Sequence, residues 1–181
     1  MTACTGPATG RPSLTRLLAD APSDVPPRFQ FAGDQLVAAA VPLGPGSLPA
    51  AVRTTFDAIA PGGRTAFVGR EWSARGDGYR LEKVYPEGTV SVTRSVLAAA
   101  DGAVLERWHS VPIPDVPQHA LATALRSGPT VEAAHIVSGP DREEYWSFLV
   151  RDRIGRAFVV RVGLDGAPLG RWRRSTAQID S

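Results

Sequence analysis

The three histidines of this 181-residue chain are the first residues to test for chemistry, because histidine serves both metal binding and acid–base catalysis. His109, His119 and His135 share no spacing that would place two of them on one helical turn, and no cluster of carboxylates joins them. Cys4 is the only cysteine, which excludes an intramolecular disulfide and a thiolate metal site. The sequence therefore predicts no metal, no cofactor and no catalytic centre.

The common motifs of enzymes and nucleotide-binding proteins are also absent. Neither the Gly-x-Ser-x-Gly nucleophile motif nor a glycine-rich phosphate-binding pattern occurs. Asp141, Glu143 and Glu144 form an acidic cluster, but a polar hairpin tip accounts for it. We therefore predict a non-enzymatic protein.

Aromatic and arginine side chains on predicted strands are the candidate binding residues, because Trp, Tyr and Arg anchor many protein interfaces. Tyr145 and Trp146 are neighbours on one predicted strand and point to opposite faces, so we expect one of them to be exposed or at an interface. The residues predicted to contact a protein partner are Trp72, Tyr85, Tyr145, Trp146, Arg151, Arg161 and Arg173.

The basic residues are 19 arginines and one lysine, and their excess is strongest between Arg151 and Arg174. Clustered arginine can indicate nucleic-acid binding, but the formal net charge is only +2. Arginines that alternate along strands favour a solvated face or contact with acidic groups of a protein partner. The sequence therefore disfavours a nucleic-acid partner and favours another protein or a multi-subunit complex.

Hydropathy bears on the compartment. No stretch approaches the roughly 18 apolar residues of a transmembrane helix, so we expect no membrane span, and peripheral association with a membrane complex stays open. The start of the chain lacks the basic-then-apolar pattern of a secretory signal, which favours the cytoplasm.

One eight-residue segment occurs almost twice. Residues 101–108 (DGAVLERW) and 165–172 (DGAPLGRW) are identical at six of eight positions and lie 64 residues apart. Proline in a first turn predicts helices that begin at Leu48-Pro49 and Val116-Pro117. Four strand patterns follow each helix, and the last two strands of each set are joined by an Asp-Gly turn.

These patterns predict an α+β fold of two tandem units, residues 48–115 and 116–181, each a helix laid across a four-stranded antiparallel sheet. We favour joining of the two sheets into one continuous curved layer, because each small unit is marginal alone. Residues 1–47 are predicted to form an extended Pro/Gly-rich arm, with a short helix at 13–19 and a hairpin that pairs residues 28–31 with 35–41.

The alternation within one strand shows what must cover the sheet. Phe158, Val160, Val162 and Leu164 lie on one face, and Val159 and Arg161 lie on the other. We expect the preceding helix to cover the apolar face.

The tandem plan resembles the PepSY-like domain family and the related beta-lactamase-inhibitor-protein-like fold. The resemblance covers about residues 48–175 and rests on the two helix starts, the apolar helix, the strands of Tyr79 and Tyr145, and the closing strand–Asp-Gly–strand pairs. It implies an extracytoplasmic protein that binds or inhibits other proteins and carries no catalytic residues. The missing signal sequence and the long proline-rich start depart from that pattern.

Three functions stay open. The first is a protein-binding scaffold, an accessory or stabilising subunit that docks through its sheet face and N-terminal arm. The second is an inhibitor of an extracytoplasmic enzyme, which requires an exposed concave sheet. The third is a small-ligand-binding protein or an enzyme of unrecognised type, which requires a closed polar pocket where one of the three histidines meets a carboxylate.

Overall fold

The computed structural model of the protein describes residue 18 and residues 25–59, 61–73, 76–88, 90–140 and 142–176. From residue 25 onward this part of the chain forms ten β-strands and two α-helices. The helices are Ala50–Ile59 (α1) and Gln118–Leu125 (α2). The strands are Arg28–Ala32 (β1), Gln35–Pro42 (β2), Arg64–Ser73 (β3), Gly76–Glu87 (β4), Val90–Ala98 (β5), Val104–Val111 (β6), Thr130–Gly139 (β7), Arg142–Arg151 (β8), Ala157–Gly163 (β9) and Pro168–Thr176 (β10).

The ten strands close into one antiparallel barrel. Each strand pairs with its neighbours in sequence, and the last strand, β10, pairs with the first, β1. In this closing pair Phe29 lies opposite Ser175, and Gln30 lies opposite Arg174. Closure leaves no free sheet edge, because each of the ten strands has a neighbouring strand on both sides.

The predicted fold class of two tandem helix-plus-sheet units was therefore wrong. A helix followed by four strands does occur twice along the chain, but the eight strands belong to one barrel rather than to two sheets or an open layer. The predicted hairpin near residue 33 is confirmed as β1 and β2. These two strands complete the barrel wall, so the second half of the predicted arm is not an extended arm. The predicted helix at 13–19 lies outside the described residues, apart from Leu18.

Helix α1 covers the outer face of the first half of the barrel. Its apolar residues Val52 and Phe56 are buried against Leu81 of β4 and against Val96 and Ala98 of β5. Leu48-Pro49 precedes the helix as predicted, and Pro61-Gly62-Gly63 follows it.

Helix α2 covers the second half in the same way. Ala120 and Ala124 are fully buried, and their small side chains let the helix approach the sheet closely. Phe148, Phe158 and Val160 lie beneath them, which confirms that the preceding helix covers the apolar face of β9.

Both helices are tied to an Asp-Gly turn by the same contact. The Thr55 hydroxyl donates to the carbonyl of Gly102 at 2.8 Å, and the Thr123 hydroxyl donates to the carbonyl of Gly166 at 2.9 Å. Both glycines have positive φ, 89° and 88°, a conformation that other residues adopt only with strain. The repeated Asp-Gly segments therefore serve as anchors for the two helices.

Candidate functional site: a polar chamber inside the barrel

The barrel interior is polar because the strands direct their polar side chains inward and their apolar side chains outward, the reverse of a barrel with an apolar core. On each wall covered by a helix, the apolar residues point outward to that helix. The intervening residues point inward, and around the ring they include Arg80, Glu106, Ser110, Arg161 and Arg174. The result is a chamber of about 890 Å³, within the size range of small-molecule sites.

One wall of the chamber holds an ionic cluster around Arg80. This guanidinium donates to Glu71 and to the hydroxyl of Ser95 at 3.0 Å, and it lies 3.9 Å from the carboxylate of Glu106. It also lies over the ring of Trp108, 4.7 Å from the ring centroid. Burial alone would lower the pKa of Arg80. The neighbouring carboxylates, Glu71 most strongly, outweigh this effect and raise the pKa above its ordinary value. Arg80 is therefore permanently charged and held in place on all sides.

A second ion pair crosses from β1 to β4. The Arg28 guanidinium donates to Glu82 at 2.6 Å and passes over the ring of Phe67, 4.4 Å from its centroid. The intervening strand β2 presents the small side chains of Ala38 and Ala40 to the chamber, which leaves room for this long side chain. The side chains of the pair are 28% and 18% exposed, so solvent screens their interaction only partly.

The wall formed by β9, β10 and β1 is basic and aromatic. Arg161 lies 4.9 Å from the ring centroid of Trp172 and 5.2 Å from that of Tyr145. Arg174 follows two residues after Trp172 on β10, so both side chains point into the chamber. Gln30 lies directly opposite Arg174 in the closing strand pair.

His135 lines the chamber on β7, with its ring edge-on to Trp108 at 5.8 Å between centroids. Burial lowers its pKa, and the charges of Arg80 and Arg174 lower it further, while Glu82 and a hydrogen bond with the backbone of Ser147 oppose this shift. His135 is therefore neutral at physiological pH.

The chamber offers fixed charges, hydroxyls and aromatic rings as binding groups. Among the described residues, no three His, Cys, Asp or Glu side chains come together as metal ligands. The hydroxyls of Ser95 and Ser110 accept hydrogen bonds from Arg80 and from the backbone of Thr93, the latter at 2.6 Å. What the arrangement can do is hold a polar molecule between fixed charges, hydroxyls and aromatic rings.

The residues predicted to bind a protein partner are not brought together on one surface. Trp146 stacks on Phe148 beneath α2, and Tyr145 is also buried, so the expectation that one of this pair would be exposed was wrong.

The remaining residues of that set are scattered. Arg161 points into the chamber, and Arg151 binds Glu132 on the exposed surface. Arg173 points outward over Phe31. Trp72 lies on β3 between two residues that face the chamber, and Tyr85 lies against Arg94. A role for any of them in protein binding stays a prediction.

The chamber residues that the sequence reasoning missed carry a visible signal. Arg80 and Glu82 are two apart on one strand, as are Glu106 and Trp108 on another. This pattern places charged and aromatic residues on one face of a strand whose other, apolar face is covered by a helix. The same pattern fits a solvent-exposed face and the lining of a barrel interior equally well.

No protein-family model matches the chain, and no curated protein matches it. Solved structures that are similar to it include two Bacteroides proteins. One, described as among the "putative periplasmic proteins" of Bacteroides eggerthii, is 14% identical with a TM-score of 0.54 over 71% of this chain and 90% of that chain. The other, a DUF2874 family protein from Bacteroides ovatus, is 15% identical with a TM-score of 0.48 over 73% of this chain and 89% of that chain. The first likeness shows a shared fold and nothing more.

Neither structure carries the name of the PepSY-like or beta-lactamase-inhibitor-protein-like family. The strand topology corrects the description of this chain as a PepSY-like tandem repeat, because the ten strands form a single closed antiparallel barrel. Within the described ranges, neither helix has the length and apolar character needed to cross a membrane.

Proposed function

We propose that this protein is a non-enzymatic binding protein that holds a small polar molecule inside its barrel. The observation that carries the proposal is the chamber of about 890 Å³, in which arginines, glutamates, hydroxyls and tryptophans converge within one closed wall. A concave site with a few fixed polar groups among apolar and aromatic surface is the usual form of a small-molecule site. His135 and Glu82 both line this chamber, and the charge of Glu82 acts on the histidine.

Binding is favoured over catalysis because the ionisable groups of the chamber are already engaged. Arg80 and Arg28 hold Glu71 and Glu82 in ion pairs, so both carboxylates already have fixed partners. The neutral His135 contacts an indole ring rather than a hydroxyl that it could activate.

Docking of a protein onto the sheet is less well supported by this geometry. The concave face of the sheet is the inside of the barrel, so the target enzyme of an inhibitor cannot contact that face. Parts of the convex face are covered by α1 and α2. An accessory-subunit role would have to use the remaining outer surface or residues 1–24, which lie outside the described ranges apart from Leu18.

We place this binding function outside the cytoplasm. The support is the name of the Bacteroides eggerthii structure, which describes a periplasmic protein of the same fold. Separate labelling of periplasm and cytoplasm in the native cell, with detection of the tagged chain, would test the location.

The function is tested by filling the chamber. Ala38 and Ala40 point inward from β2, so the double variant A38W/A40W places two indole rings in the space that a ligand would use. Ala122 is exposed on α2, so A122W adds the same ring outside the barrel and serves as the matched control.

Native mass spectrometry would then be run on all three proteins after incubation with a small-molecule extract of the native cells. Wild type and A122W are expected to carry the same small-molecule adducts, and A38W/A40W is expected to lose them while keeping its far-UV circular dichroism. Adducts of equal abundance on all three proteins, or none on wild type, would overturn the proposal.

A further inference from the structure

The charges of the chamber are segregated between its two sides. The arginines Arg28, Arg161 and Arg174 come from β1, β9 and β10, which are adjacent in the barrel. The glutamates Glu71, Glu82 and Glu106 come from β3, β4 and β6. One side of the chamber therefore presents positive charge, and the opposite side carries the carboxylates that Arg80 and Arg28 neutralise.

Arg174 is the cation on the basic side that this protein does not neutralise. Within the described part of the chain, its guanidinium has no ion pair and no hydrogen bond, and Glu82 and Glu132 act on it only as more distant charges. Burial lowers the pKa of Arg174, and the charge of Arg28 lowers it further. A half-buried guanidinium in this position gains most from a bound anion, because the anion replaces lost hydration.

The number of charged side chains in the chamber indicates the net charge of the anion that it can bind. Four arginines and four glutamates line the chamber, and one of these carboxylates, Glu132, is paired with Arg151 on the outer surface, which leaves four arginines against three glutamates. The excess is one positive charge, which a single carboxylate balances. A doubly charged phosphate would overcompensate and would face the glutamates on the opposite side.

From these observations, and resting on the proposed function, we infer that the β9–β10–β1 side of the chamber binds the carboxylate of a small organic monoanion. Arg174 is the residue that holds the carboxylate, in the forked geometry that guanidinium groups offer to two oxygens. Gln30, opposite it, supplies a further amide donor. Trp172, two residues before Arg174, presents an indole ring to the body of the ligand.

The test compares monocarboxylates with their neutral primary amides, which have nearly the same shape. Benzoate with benzamide and hexanoate with hexanamide are titrated into the full-length protein by isothermal calorimetry, with inorganic phosphate as a third probe. Each carboxylate is expected to bind at least about tenfold more tightly than its amide and more tightly than phosphate, which is the range of one charge-assisted contact.

The variant pair R174Q and R173Q assigns the effect to one side chain. Both remove one charge from β10, but Arg173 points outward over Phe31 while Arg174 faces the chamber. R174Q is expected to weaken carboxylate binding by about 10- to 100-fold and to leave the amides unaffected, and R173Q is expected to behave as wild type. Thermal unfolding of the two variants checks that both are folded.

The outcomes separate this inference from the proposed function. Amides that bind wild type as tightly as the carboxylates, and are excluded by A38W/A40W, would overturn the carboxylate site and leave the chamber function standing. Carboxylate affinity unchanged in R174Q, or phosphate bound more tightly than either carboxylate, would also overturn it. If no probe binds wild type, the inference fails, and the extract experiment alone then decides the chamber function.

Discussion

Replacement of Arg80 by methionine tests how strongly the charged residues of the chamber wall are shielded from solvent. R80M keeps an unbranched stem of similar length over Trp108 but removes the guanidinium that contacts Glu71, Glu106 and Ser95. The side chains of Arg80 and Glu106 are only 7% and 8% exposed, so the variant leaves carboxylates with little solvent to replace their partner. Loss of one partner of a buried ion pair typically costs about 3–5 kcal/mol. Because Glu71 is 18% exposed, we expect the lower end, about 3 kcal/mol.

The control for this variant is an exposed ion pair between β4 and β5. Arg94 and Glu87 are 49% and 48% exposed, and such pairs contribute about 0–1 kcal/mol. R94M is therefore expected to change stability by less than about 1 kcal/mol. The triple variant R80M/E71Q/E106Q removes the stranded charges together with their partner, and we expect it to recover at least half of the stability that R80M loses.

Urea unfolding at neutral pH, followed by tryptophan fluorescence and far-UV circular dichroism, gives the free energy of unfolding for each variant. The m-values show whether the extent of unfolding is the same in all of them. A loss in R80M no larger than that in R94M would refute the reasoning, because it would mean that water in the chamber solvates Glu71 and Glu106 as well as bulk water does.

Three further predictions concern the core, a helix anchor and pH. Phe148 is fully buried beneath α2, so F148A is expected to lower the free energy of unfolding by about 3–5 kcal/mol, whereas L169A at an exposed position should change it by less than about 0.5 kcal/mol in the same urea titration. T123V removes the hydroxyl that binds the carbonyl of Gly166, and we expect a loss of about 1 kcal/mol by thermal unfolding; no loss would contradict the anchoring role. Burial lowers the pKa of His135, so the unfolded chain takes up this proton at higher pH than the folded protein, and the free energy of unfolding falls as pH drops through about 6.5 toward the lower folded pKa. Between about pH 7.5 and pH 5.5, H135Q should lose less stability than wild type, and an equal loss in both would be inconsistent with a neutral buried histidine.

Local structure was predictable from the sequence wherever one short segment determines it. The β1–β2 hairpin around Gly33, and the turns at Asp101-Gly102 and Asp165-Gly166, are confirmed because turn residues act within a few positions of the chain. Both helices begin close to the predicted proline positions for the same reason.

Barrel closure was not predictable from such local signals. It depends on the pairing of β1 with β10, which lie at opposite ends of the described chain, and no turn connects them. A hairpin pattern at residues 28–42 shows that two strands pair with each other, but it does not show that they also fill the gap between β3 and β10. The tandem-unit prediction failed at this step.

The chamber was missed because alternation assigns residues to a face without showing where that face lies. The pattern of β9 correctly placed Phe158 and Val160 under a helix. It left Arg161 on the opposite face, where a solvated surface and a lined interior give the same sequence pattern. Once the sheet closes, that face becomes the inside of the barrel, and Arg161 and Arg174 become chamber residues.

The pairing of β1 with β10 is the contact on which the chamber and both proposals depend, and NMR tests it directly. In a labelled sample, we predict nuclear Overhauser effects between backbone protons of Phe29 and Ser175 and of Gln30 and Arg174, together with slow exchange of the amides in both strands. Fast amide exchange along β1 and β10, with contacts from β1 only to β2 and from β10 only to β9, would show an open sheet and contradict the account.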